Sequence, residues 1–165
     1  MAQKSYSSIF TYLLGNDRPN AVAWIEGNEK HTKLKGVVKF YSIPSGGVMV
    51  EAEITGLPDY NGGGGSGFYA FHIHEYGDCG NNFDNTGNHY NLKGAVHPLH
   101  AGDMTTLMAN NGYAWMAFYD GRVNVREIIG RSVIIHERAD DFTTQPSGNA
   151  GNKIGCGVIR AARRI

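Results

Sequence analysis

The sequence predicts an all-β fold, a sandwich or closed barrel of antiparallel strands. Three observations carry that expectation. Short runs rich in Val, Ile, Phe, Tyr and Trp recur along the chain, the composition that suits a pleated, half-buried surface. The 23 glycines fall in turn-like clusters between those runs instead of one low-complexity block. No segment sustains an apolar repeat of about 3.6 residues with caps, so helices are not expected.

Taken in order, strands are expected at Ala21–Glu26, Leu34–Ile43, Val48–Thr55, Phe68–His74, Tyr113–Tyr119 and Ser132–Glu137. The third has the clearest two-residue period: Val48, Val50, Ala52 and Ile54 on a buried face, Met49, Glu51 and Glu53 on a wet one. Ser45-Gly46-Gly47 and Asp120-Gly121 supply turn chemistry between runs. Residues 61–67, NGGGGSG, read as a surface loop closely flanked by strands. Two stretches break the rhythm, Gly77–Met104 and Arg138–Lys153. Loops of that length without secondary structure of their own are usually functional or disordered.

At 165 residues the chain has the length of one domain that can bury a core unaided. Residues 1–20 read as an N-terminal extension and 21–165 as the domain. Fifteen Lys and Arg balance fifteen Asp and Glu, which leaves no basic footprint for nucleic acid or an anionic membrane. The end at 160–165, RAARRI, reads as a solvated tail. No apolar run has the length to span a bilayer. The patch at Ile9–Leu14 is followed by Asn, Asp and Arg with no small-residue cleavage site. It is not read as a signal peptide, and a cytoplasmic location is expected. There, Cys79 and Cys156 are by default reduced thiols.

Six of the seven histidines lie between positions 72 and 136. His31, in the polar stretch EGNEKHTK, reads as a surface residue. His72 and His74 are one residue apart in a strand-like run and so share a face: either a solvated sheet surface or half of a metal site. The first long loop adds His89, His97, His100 and Asp103. Three imidazoles and a carboxylate can close a tetrahedral shell around Zn²⁺, and folding a loop around an ion offsets the entropy of ordering it. The competing reading is a polar loop with chance histidines. His136, at the end of SVIIHE, is either a surface residue or a further nitrogen beside His72 and His74, an all-imidazole set that suits copper better than magnesium or calcium.

Five motifs in order, FHIHEYGD from Phe71, GNH from Gly87, His100-Ala101-Gly102-Asp103, GRSVIIHERADD from Gly130 and GNAGNKIGCGVI from Gly148, resemble the copper,zinc superoxide dismutases. The likeness is strong from Gly67 to Ile159, and the first strands share only its character. It implies a Greek-key sandwich or flattened barrel of about eight antiparallel strands with two long functional loops. It also implies one copper on His72, His74, His89 and His136, and one zinc on His89, His97, His100 and Asp103. His89 would bridge the two ions through its ring nitrogens. Asp140 matches an aspartate that links a copper histidine to a zinc histidine, here His72 and His97, the usual orienting task of an outer carboxylate.

The implied reaction is disproportionation of superoxide, with copper alternating between Cu(II) and Cu(I) while zinc stays structural and electrostatic. His89 would also be catalytic, leaving copper on reduction and carrying a proton. A positive group near copper would raise the local concentration of the anion. The resemblance puts Lys153 in that catalytic place, where relatives usually have arginine. Lysine keeps the charge and loses the planar fork. Cys79 and Cys156 are implied as a disulfide, although Cys79 stands a few residues earlier than its counterpart. The zinc loop is compressed, with only Pro98 and Leu99 between His97 and His100, and the second loop is short. Relatives are commonly dimers, and a homodimer is among the states open to this chain.

A second class of function is a non-enzymatic relative that stores or delivers copper or zinc on the same fold. Such a protein would be expected to lose copper ligands or the basic residue, and this chain keeps every ligand. A single-zinc hydrolase with Glu75 or Glu137 as base would leave His72, His74 and His136 without a joint purpose.

Overall fold

The computed structural model describes residues 18–59 and 66–162. Within them the alternating runs become strands β1 (Ala21–Gly27), β2 (Lys35–Ser42), β3 (Val48–Thr55), β4 (Phe68–Tyr69), β5 (Phe71–His74), β6 (Leu107–Met108), β7 (Ala114–Asp120), β8 (Ser132–His136) and β9 (Lys153–Ala161). Seven form one antiparallel sheet in the order β5-β8-β9-β1-β2-β3-β7, and β4 pairs with β6. The chain leaves β3, next to one end of the sheet, and crosses to β5 at the other. It returns to β7 beside β3, then crosses again to β8 beside β5. These exchanges curl the sheet into the expected Greek-key arrangement.

Alternation decides what the sheet buries. Val48, Val50, Ala52 and Ile54 of β3 share one core with Val38 and Phe40 of β2, Phe71 and Ile73 of β5, and Val133 and Ile135 of β8. Each such Val, Ile or Phe side chain contributes roughly 1.5–3 kcal/mol when fully buried. Among the described residues no helix is long and apolar enough to cross a membrane.

The structure corrects several expectations. The run at Phe68–His74 breaks at Ala70, whose N–H donates to Arg138 O and whose carbonyl accepts from His136 N. The chain changes partners there, from β6 to β8. Glu51 is 1 % exposed instead of wet, because Lys39 Nζ, Tyr41 OH and Trp115 Nε1 each donate to its carboxylate at 3.2 Å. Arg160 and Ala161, read as tail, pair with Val22 and Ala21 in β9. Asn20, read as extension, donates to Phe40 O and accepts from Ala162 N. One helical turn, α1 (Val125–Ile128), forms under a capping box between Asn124 and Glu127. The rest of the expected extension, residues 1–17, and most of the glycine-rich loop lie outside the described residues.

Candidate metal centre

Strand β5 is buried on both faces. Phe71 and Ile73 enter the core, while His72 and His74 face outward beneath the loops. In the β5–β8 register His72 lies opposite Ile134 and His74 opposite Ser132, so alternation along β8 carries this same face on to His136. The first long loop then runs back along the free edge of β5. Ile73 N donates to Gly102 O and Tyr90 N to Ile73 O, both at 2.8 Å. This docking sets His89 beside His74 and Asp103 beside His72. Gly102 is required at the contact, since a Cβ there would overlap Ile73 O.

Two buried ligand clusters result. His72, His74, His89 and His136 form one, and His89, His97, His100 and Asp103 the other. Within each, one ligand atom from every residue lies within 4.8 Å of the others. The rings of His72 and His89 are 4.0 Å apart between centroids, and those of His74 and His89 are 5.0 Å apart. In the second cluster Asp103 is the focus. Its carboxylate lies 2.6 Å from His89 Nδ1, 3.2 Å from His97 Nδ1 and 3.2 Å from His100 Nδ1.

Most of the rings have one nitrogen held and the other aimed inward. His72 Nε2 and His97 Nε2 donate to the two oxygens of Asp140, at 2.7 and 2.9 Å. His74 Nδ1 donates to Gly87 O at 2.9 Å, and His136 Nδ1 to Gly151 O at 3.1 Å. His72 Nδ1, His97 Nδ1 and His89 Nε2 are buried without a hydrogen-bond partner among the described residues. Leaving buried imidazole nitrogens unpaired costs about 1–3 kcal/mol apiece, and a metal ion is the partner that a converging set of such atoms fits.

Burial, reinforced by neighbouring imidazoles, favours the neutral rings that ligation requires. It pushes His72 down to about 4 against the pull of Asp140, His136 down to about 3, and His74 well below the usual range. Burial alone would raise Asp103, but the hydrogen bond and charge of His89 hold it down to about 2. Asp140 is likewise lowered, its burial outweighed by donation from His72, Phe142 N and His97.

A copper/zinc superoxide dismutase (SODC) family model matches residues 34–159. The chain belongs to the copper/zinc superoxide dismutase family. It is 36 % identical over 141 residues to superoxide dismutase [Cu-Zn] A of Xenopus laevis, covering 76 % of this chain and 89 % of that protein. It is 34 % identical over 155 residues to superoxide dismutase [Cu-Zn] 3 of Arabidopsis thaliana, covering 84 % and 88 %. The family also includes non-enzymatic members. The copper chaperone for superoxide dismutase of Homo sapiens is 33 % identical over 139 residues, 76 % of this chain but 48 % of the chaperone. The crystal structure of the clock protein EA4 superposes with a TM-score of 0.72 at 32 % identity, over 87 % of this chain and 96 % of that one. Both clusters are of the kind that could bind this family's copper and zinc.

In this superoxide dismutase-like chain a cavity of about 470 Å³ opens onto the first cluster, with His74, His89, His136 and Lys153 in its wall. The three donors of Lys153 Nζ go to Thr86 Oγ1 at 2.9 Å, Gly87 O at 3.1 Å and Phe83 O at 3.2 Å. Burial lowers its pKa, and Asp84 partly opposes the shift. The Cys79–Cys156 disulfide is present and anchors the loop that carries Phe83, Thr86 and Gly87. Glu75 and Glu137, the bases of the hydrolase reading, accept hydrogen bonds from Asn88 N and Asn152 Nδ2, and neither belongs to either ligand cluster. Two contributors were not found in the sequence. Gln145 pairs with the backbone of His97, and Arg122 with carbonyls around His100 and Asp103.

Proposed function

We propose that the protein is a superoxide dismutase, converting two superoxide anions and two protons into O₂ and H₂O₂. Copper would be held by His72, His74, His89 and His136, and zinc by His89, His97, His100 and Asp103. The observation that carries this reading is His89. Its Nδ1 lies 2.6 Å from Asp103 in one cluster, while its buried Nε2 is unpaired on the side of the other. When bound, copper supplies the Cu(II)/Cu(I) couple that takes an electron from one superoxide and returns it to the next. Asp140 keeps the proton of His72 on Nε2 and leaves Nδ1 free to ligate. Gly87 O and Gly151 O do the converse for His74 and His136. His89 Nε2 would be the atom that holds a proton when it is not ligating and supplies it toward the product H₂O₂.

Lys153 draws the anion into the cavity by its charge. With three acceptors already within 3.2 Å of Nζ, it acts on substrate as a charge and not as a hydrogen-bond donor. Through Gly87 O it also steadies His74. The likeness to a copper chaperone supports a second reading, a metal carrier without turnover. The test is superoxide decay after pulse radiolysis, on protein reconstituted with copper and zinc beside a His136→Ala variant. Catalytic decay that disappears in the variant supports the enzyme. Slow decay at full copper loading would leave the carrier.

A further inference from the structure

The zinc-ligand loop is short, and three of its four ligands sit in seven consecutive residues, His97 to Asp103. It has no regular secondary structure over most of that length, and its own turns, Leu99 N to Val96 O and Asp103 N to His100 O, are supplemented by contacts from outside. Two side chains from other loops supply these. Gln145 spends both ends of its amide on one ligand residue: Oε1 accepts from His97 N at 3.1 Å, and Nε2 donates to His97 O at 2.6 Å. Asp140, from the same loop as Gln145, holds the ring of His97 at 2.9 Å. Arg122, just past β7, is oriented by Asp120, whose buried carboxylate accepts from Nε and Nη2 at 3.2 Å. Its guanidinium then reaches the carbonyls of Pro98 and His100, each at 3.4 Å, and that of Asp103.

We infer that Gln145 and Arg122 are positioning residues for the zinc half of the centre, holding the compressed loop in its ligating shape. The inference rests on the zinc assignment proposed above. Neither side chain offers a ligand atom to the site, and both act through backbone groups of ligand residues. A loop held ready before the ion arrives binds more tightly than one that must be ordered by it. Loss of a partner of this kind lowers metal affinity by about 10- to 100-fold.

The test compares wild type with Gln145→Met, Gln145→Glu, Arg122→Ala and Arg122→Lys. Zinc affinity is measured by chelator competition, the ligand-field absorption of Co²⁺ bound in the zinc site is recorded, and melting of the metal-free protein is followed separately. Gln145 is exposed, so its variants are expected to fold. Gln145→Met and Arg122→Ala should each weaken zinc by at least about tenfold and alter the Co²⁺ absorption. Gln145→Glu should fall between, since it still accepts from His97 N but cannot donate to His97 O. Arg122→Lys should recover only part, having lost the fork. Affinity and absorption that match wild type in both Gln145→Met and Arg122→Ala would overturn the inference while leaving the zinc site standing. A wild type that binds no zinc would overturn the zinc assignment and this inference with it.

Discussion

Asp140→Asn removes no atoms from the centre, yet it should uncouple the two metal sites. The Asp140 side chain is 1 % exposed, and its carboxylate accepts three hydrogen bonds: His72 Nε2 at 2.7 Å, His97 Nε2 at 2.9 Å and Phe142 N at 2.7 Å. An asparagine has one oxygen and one NH₂. With the oxygen kept on the side shared by His97 and Phe142, the NH₂ faces His72. That ring then either leaves two donors opposed or moves its proton to Nδ1, the atom meant to ligate copper. An opposed buried donor costs about 1–3 kcal/mol, equivalent to roughly 5- to 150-fold in affinity. Copper affinity at pH 7 should therefore fall by about 10- to 100-fold, and zinc affinity by less, because His97 keeps its acceptor. Chelator competition for each metal reads this directly, and melting of the metal-free variant checks the fold. Copper and zinc affinities within twofold of wild type would refute the tautomer argument.

Four further outcomes follow from the same geometry. Reducing the disulfide, or Cys156→Ser, should lower stability in urea unfolding by about 4 kcal/mol, from the chain-entropy model of a bridge with sequence separation 77; an unchanged midpoint would contradict this. Gly148 has φ +67°, and a Cβ there would overlap Asp140 Oδ1, so Gly148→Ala should weaken both metals together, whereas wild-type affinity would show that the loop can move aside. The metal-free protein should lose stability as pH falls from about 6.5 to 4. Unfolded His72 takes up its proton near 6.5, the native ring only at about 4, a difference on the order of 3 kcal/mol. His136 extends the loss toward 3, and a urea midpoint that is flat over that interval would contradict the burial argument. Lys153→Met should slow superoxide decay about tenfold and flatten its dependence on ionic strength, and an unchanged salt profile would remove Lys153 from anion guidance.

How far the fold was legible depended on whether a residue's role shows in its own side chain. Strand β3 alternates without interruption and matches its expected bounds, Val48–Thr55. Strand β9 was not expected as a strand because Gly155 and Gly157 interrupt its apolar pattern. They are there for close approach: a Cβ on Gly157 would overlap Trp24 O, and one on Gly155 would lie 2.9 Å from Leu34 Cδ2. Glu51 looked like a wet-face residue because its partners come from neighbouring strands.

The same distinction divides the site. Histidines and aspartates declare metal chemistry in their side chains; spacing left His72, His74 and His136 open, and the two sets that the family resemblance implies are the two clusters that the fold gathers. Gln145 and Arg122 act on backbone N–H and C=O groups, which every residue offers. Gln145 is 48 positions from His97, and Arg122 is 19 to 24 from the carbonyls it holds. No motif marks such a contact, and only the folded loops bring it about.

The most direct test of the central claim is the rate of a sustained reaction. Superoxide would be supplied in large molar excess over the copper- and zinc-loaded protein, with its decay followed beside the spontaneous reaction in the same buffer and protein-bound copper measured at the end. A superoxide dismutase gives decay that is first order in superoxide, proportional to the loaded protein and faster than the spontaneous reaction through many turnovers, with the copper still bound. Acceleration that ends after about one superoxide per copper, or copper released to a chelator as the reaction proceeds, would contradict this and make the protein a metal carrier.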